Sequence, residues 1–280
     1  MVLVFDVDDV LIDLHAAEPP AEAALAAALV EPLGADDAAR VGERFHATVS
    51  ALRADLVRAP GEKLRDPRLL ERMRHWQRGA IAAGHELKVW SRETWVAMAL
   101  EDLGRPVTRK LVRAATDAYW DELAKASRLY EDARRVLERL KARQVPFHLA
   151  TNSDGFLELD ESWGTFFYDP ADARARKLGR MRPLWGVGIE HVQVTVGDPI
   201  GKPHPAFYAQ VLTDFGARLG RTIAPTELTV VGDSLTHDLD PFLRLGATRA
   251  VLIVRGRTPL PSTDARVQIV TALTDAPTVF

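Results

Sequence analysis

The chain has no cysteine among its 280 residues, which excludes disulfides, thiol nucleophiles and cysteine-ligated zinc or iron–sulfur centres. It has no surplus of positive charge either. Its 36 basic and 39 acidic side chains leave a formal charge of −3, so the balance gives no reason to expect a nucleic-acid partner. The longest alanine-rich stretch, 21–30, falls far short of the ~20 apolar residues that span a bilayer. The opening MVLVFDVDD brings carboxylates in directly after an apolar run, unlike a signal peptide. The expectation is a cytoplasmic protein with no membrane partner. What is present is ordinary globular composition, 47% hydrophobic and 27% charged.

Five short, valine-rich runs flanked by Gly or Asp read as buried strands: Val2–Val7, Phe147–Thr151, His191–Val196, Leu228–Gly232 and Arg249–Val254. Arg266–Val270 reads as an edge strand. Helical segments Glu131–Arg143, Pro205–Leu219 and Asp238–Leu245 separate the later runs. Strands alternating with helices imply an α/β fold with a mainly parallel sheet. The alternation breaks once. Between the first and second strands lie helical candidates at 19–33, 36–59, 67–83, 93–103 and 107–126, enough for a small inserted domain.

In open parallel sheets, ligands bind beyond the carboxyl ends of the strands. There the sequence gathers Asp6 and Asp8, then Thr151 and Asn152, then Gly201-Lys202-Pro203, then Asp233 and Asp238. Side chains two apart on a strand point the same way, so Asp6 and Asp8 should face one cleft. Four carboxylates gathered together repel one another. A hard cation with oxygen ligands, Mg²⁺, offsets that repulsion and leaves room for a phosphate. A carboxylate can also attack phosphorus and split one difficult displacement into two. The chemistry indicated is phosphoryl transfer.

The four segments DVDDVL, ATNS, GKPHP and GDSLTHD resemble, in order, the four motifs of the haloacid dehalogenase (HAD) superfamily. The stretch Leu129–Ser153 is also similar to the helix–strand unit of its phosphoglycolate-phosphatase-like and β-phosphoglucomutase-like branch. The resemblance implies a Rossmann-like core formed by residues 1–13 and 128–280, with an all-helical C1-type cap at 14–127. It implies that Asp6 is the nucleophile and a Mg²⁺ ligand. Asp8 would be the acid and base, its backbone carbonyl a second ligand, and Asp233 the third. Asp238 would act from behind these ligands. Thr151, the Asn152 backbone N–H and Lys202 would hold the phosphoryl group.

The implied activity is a Mg²⁺-dependent phosphatase acting on a small phosphorylated metabolite through an aspartyl phosphate. A sugar phosphomutase is the alternative, since DxDxV is closer to the mutase spelling. A non-catalytic phosphate-binding protein on the same fold is the second alternative. A dehalogenase fits less well, because that branch usually lacks the acid held here by Asp8. Asp9 replaces the glycine usual after the second Asp, and the basic stretch at 156–185 has no place on the family template. Oligomeric state and substrate identity are not legible. His204 and His237 read as polar contacts, Asp238 has an alternative reading as a helix cap, and the tryptophans 76, 90, 95 and 120 read as helical core.

Overall fold

The computed structural model describes residues 1–56, 67–256, 262 and 264–276. These form eight strands: β1 Val2–Phe5, β2 Phe147–Asn152, β3 Leu157–Asp160, β4 Thr165–Tyr168, β5 Val194–Gly197, β6 Leu228–Gly232, β7 Arg249–Ile253 and β8 Val267–Val270. The chain divides into two compact units. One comprises Met1–His15, Ser127–Ser153 and Met181–Phe280; the other comprises Ala16–Ala126 and Asp154–Arg180.

The first unit holds a six-stranded sheet in the order β5-β2-β1-β6-β7-β8, with every neighbouring pair parallel. All four residues of β1 are buried, as expected where helices cover both faces of a parallel sheet. Parallel strands all end on one edge, so the loops after β1, β2, β5 and β6 share it. In register, Phe5 pairs with both Leu149 and Val231, which sets Asp6 level with the ends of β2 and β6.

The expected helix 205–219 forms from Pro205 to Leu219. His204 caps it by accepting from Ala206 N, Pro205 occupies the first turn, and Gly220 ends it at φ 65°. Its buried face, Phe207, Tyr208, Val211 and Phe215, joins the core under β1, β6 and β7. Two strand boundaries move by more than one residue: β1 ends at Phe5 rather than Val7, and residues 191–193 form a 3₁₀ turn closed between Glu190 and Gln193, so that β5 begins only at Val194.

A histidine inside this sheet carries a pH dependence. His148 in β2 is fully buried, stacks on Phe215 at 5.2 Å, and lies with Nε2 2.9 Å from Thr195 Oγ1. The Thr195 hydroxyl donates to Asp214 Oδ2 at 2.6 Å, so Nε2 is the donor to Thr195. Burial, reinforced by Arg218, pushes His148 down to about 4 from 6.5. The unfolded chain therefore takes up this proton at higher pH than the folded one. The contribution is fully present above pH 6.5 and is lost as pH falls towards about 4, amounting to about 3 kcal/mol. Denaturant titrations above and within that window are expected to show the slope in wild type and a shallower one in His148→Gln. An unchanged slope would contradict the assignment.

The second unit is mainly helical. Its helices include Leu14–Ala28, which begins in the first unit, and Ala35–Leu56, Pro67–Trp76, Arg92–Asp102, Arg109–Ala126 and Pro170–Arg180. The first starts five residues before Pro19, so both prolines lie inside it rather than at its start. Residues 57–59 of the expected 36–59 helix lie outside the described residues. Trp95 is wholly buried between Phe45 and Trp90, and Trp76 and Trp120 are nearly so, which makes them core.

Residues 154–180, read above with the 128–280 core, belong to this unit. The antiparallel hairpin β3–β4 is held by its helices: Thr165 Oγ1 accepts from Gly79 N and donates to Trp76 O, and Arg109 Nε donates to Leu159 O. At the hairpin turn Trp163 is 71% exposed. The helix Pro170–Arg180 then follows, with Pro170 in its first turn and Asp169 Oδ1 accepting from Ala171 N at 2.8 Å. Among its described residues the regular structure of the second unit is thus helical apart from one hairpin.

Candidate active site

Four of the expected side chains, Asp6, Lys202, Asp233 and Asp238, meet at the carboxyl edge of the sheet. Asp6 continues β1, its N–H donating to Val231 O at 2.8 Å. Lys202, from the loop after β5, donates from Nζ to Asp6 Oδ1 and to Asp238 Oδ1, each at 2.6 Å. Asp6, Asp233 and Asp238 each offer a carboxylate oxygen, and these oxygens lie within 4.8 Å of one another. Lys202 and Asp238 are almost fully enclosed, so one cation sits between buried anions.

Burial pushes the Asp6 carboxyl up to about 7, with Asp238 and Asp8 adding to the rise and Lys202 opposing it. Lys202 is penalised by burial, yet Asp238 and Asp6 more than compensate and hold it above the usual ammonium range. The lysine therefore stays charged, while burial and the neighbouring carboxylates disfavour the ionised form of Asp6. One ammonium does not neutralise three carboxylates, and their all-oxygen donor set suits a hard divalent ion.

Asp238 is not a helix cap. It is buried, and its Oδ2 accepts from Asp233 N at 3.2 Å and from Ser234 N at 2.9 Å, which orients the loop after β6. That loop continues as a π turn, Leu235–Leu239, capped by Ser234. The close approach needs a glycine: a Cβ on Gly232 would lie 2.2 Å from Asp238 Cβ. His237 stays on the periphery of this turn, with Nδ1 near the hydroxyls of Ser234 and Thr236.

Asn152 is tied to the lysine loop through its side chain. Its Oδ1 accepts from Lys202 N at 2.6 Å and its Nδ2 donates to Lys202 O at 3.2 Å. Gly201 and Gly197 make room for it, since a Cβ at either would fall 2.4 Å or 2.9 Å from Asn152 Oδ1. Sequence reading gave Asn152 only a backbone role; the glycines on either side of Asp198 were the available signal. Thr151 is buried at the end of β2, and its hydroxyl donates to the Asn152 carbonyl at 3.4 Å rather than joining the carboxylates.

Asp8 lies close enough to Asp6 to raise its carboxyl. The next residue accounts for the departure from glycine. Asp9 has φ 55°, in the left-handed region that Gly prefers and Asp tolerates. Its Oδ1 accepts from His15 N at 3.2 Å, and its Oδ2 lies 3.6 Å from His15 Nε2. The loop is also pinned from a distant position that no motif marked. Arg255, after β7, donates to Val10 O at 2.7 Å, pairs with Asp132 at 3.1 Å and lies 3.6 Å over the Tyr130 ring.

A parallel α/β sheet carrying an aspartate cluster and a buried lysine at its carboxyl edge defines a class of hydrolase core. Residues 1–246 match the haloacid dehalogenase-like hydrolase family, and the chain belongs to it. No curated protein matches the chain. Among solved structures it is similar to the HAD-type hydrolase YfnB of Bacillus subtilis bound to magnesium, at 18% identity and a TM-score of 0.54, covering 99% of this chain and 97% of that one. It is also similar to a β-phosphoglucomutase-type protein of Thermotoga maritima, at 17% identity and a TM-score of 0.54, covering 100% and 99%. A 2-haloacid dehalogenase of Pseudomonas syringae aligns at 18% identity and a TM-score of 0.53, covering 99% and 96%. At these identities the likeness shows the fold alone. No described helix is long and apolar enough to cross a membrane.

Proposed function

We propose that the chain is a Mg²⁺-dependent phosphatase acting on a small phosphorylated metabolite. The observation that carries this reading is the buried Asp6–Lys202–Asp238 arrangement with Asp233 beside it. Asp6, Asp233 and the Asp8 backbone carbonyl would hold the ion, with Asp238 orienting Asp233 and Ser234 behind it. When bound, the ion supplies positive charge that draws in the phosphate and offsets the crowding of carboxylates.

Asp6 attacks phosphorus with the oxygen that Lys202 leaves available, forming an aspartyl phosphate as the ester oxygen departs. Asp8 gives that oxygen its proton and then takes one from the water that hydrolyses the acyl phosphate. Lys202, with Thr151 and the Asn152 N–H, holds the transferring group. The presence of Asp8 and Asp233 together favours phosphate chemistry over carbon–halogen cleavage, which needs neither an acid for the leaving group nor a cation.

A phosphomutase shares every one of these residues and differs in the acceptor of the phosphoryl group. Release of inorganic phosphate from p-nitrophenyl phosphate is expected with magnesium and is expected to disappear in excess EDTA. Equal rates in both would contradict the reading. Isomerisation of a sugar phosphate without net phosphate release would favour the mutase.

A further inference from the structure

Asp154 and Arg180 are the first and last residues of the second stretch of chain in the helical unit, and they are bonded to each other. Arg180 Nε donates to Asp154 Oδ2 at 3.0 Å and its NH2 donates to Oδ1 at 2.8 Å, a two-pronged fork on one carboxylate. Lys177 Nζ donates to the same Oδ1 at 3.3 Å. All three side chains are buried, Lys177 to 1% exposure and Arg180 to 3%. Buried ion pairs are a poor source of stability, because well-packed apolar residues often do as well or better. What a guanidinium fork does supply is geometry, fixing both the position and the plane of the carboxylate.

We propose that the Lys177–Arg180 clamp on Asp154 positions Asn152, and through it Lys202, for phosphoryl transfer. The first link is covalent. Asp154 stands two residues beyond Asn152, and the intervening Ser153 donates from its N–H to Gly197 O at 3.3 Å, so the short segment has little slack. The second link is the reciprocal pair of bonds between the Asn152 amide and the Lys202 backbone. The third is the Lys202 ammonium on Asp6 and Asp238. With the carboxylate released, the Asp154 backbone loses its anchor and the short segment back to Asn152 gains freedom, and with it the seat of Lys202. Lys177 and Arg180 lie outside the four motifs, in the basic stretch that had no place on the family template. They are positioning residues, acting through Asn152.

The kinetic consequence rests on the phosphatase reading; the positioning itself does not. Arg180→Lys keeps the charge and loses the fork, and Arg180→Met loses both. In the full chain, exchange of the Lys202 amide proton, which Asn152 Oδ1 holds, is followed by NMR alongside kcat and KM for p-nitrophenyl phosphate with magnesium. In Arg180→Met this amide is expected to exchange about tenfold faster, and in Arg180→Lys by less, while amides of β1 and β6 keep their wild-type rates. The kcat is expected to fall about tenfold or more with KM within about threefold. If Arg180→Met fails to fold, Lys177→Met gives the same pattern at smaller amplitude. Wild-type exchange and wild-type kcat in the folded variants would overturn the proposal. Faster exchange throughout the sheet would overturn it too, since the clamp would then serve stability alone. Should the wild-type chain release no phosphate, the functional reading fails and the exchange measurement still decides the clamp.

Discussion

Asp6→Asn is expected to lower phosphate release from p-nitrophenyl phosphate by about 10⁴-fold or more, the scale on which losing a nucleophile is felt. The substitution keeps the shape of the side chain and an oxygen for Lys202, so the loss is one of reactivity rather than of packing. It also removes one negative charge from a site where burial, Asp238 and Asp8 all disfavour the ionised form. The melting temperature measured in EDTA is therefore expected to hold or rise. A dead enzyme that is at least as stable as wild type separates catalysis from folding in one variant. Activity at the wild-type level would remove Asp6 as the attacking group, and with it the aspartyl-phosphate route.

The opposite pattern is expected of Lys202→Met. Lys202 is the cation between Asp6 and Asp238, almost wholly shielded from solvent. Taking it away leaves buried carboxylates facing one another, a change that costs about 3–5 kcal/mol when one partner of a buried pair is lost. Catalysis should be lost as well, because the lysine would also hold the phosphoryl group. Magnesium is expected to recover part of the lost stability, since a divalent ion among the remaining oxygens offsets the same repulsion. Calorimetry with and without magnesium measures this directly. An EDTA melting curve that matches wild type would mean that Lys202 contributes nothing to holding the cluster together.

These two variants use residues that were legible in the sequence, and the reason is local. Asp6, Lys202, Asp233 and Asp238 follow short apolar strands closely, and the parallel sheet does the rest by ending all strands on one edge. The runs Leu228–Gly232 and Pro205–Leu219 were readable end to end because burial and capping agree there. Other features depend on partners far away in the chain. The strands β3 and β4 have four residues each, and what holds them in place is a set of groups at Trp76, Gly79 and Arg109, 50 to 89 positions earlier. No window of local periodicity contains such information. Asn152 illustrates a subtler limit. Its place in a motif was visible, but its side-chain grip on Lys202 depends on two glycines whose contribution is the absence of a Cβ. Asp9 was legible as an oddity, and only its backbone angle shows why it is tolerated.

The uneven burial of the tryptophans has an optical consequence. Trp95 is fully enclosed and Trp76 and Trp120 nearly so, Trp90 and Trp185 are half-buried, and Trp163 stands 71% exposed at the hairpin turn. The red side of the emission band should therefore be weighted towards Trp163, and a dissolved quencher such as iodide should reach it first. The difference spectrum with and without quencher isolates one indole on the 154–180 stretch, whose two ends Asp154 and Arg180 tie together. The unaltered chain thus carries its own fluorescent reporter on the hairpin segment of the second unit.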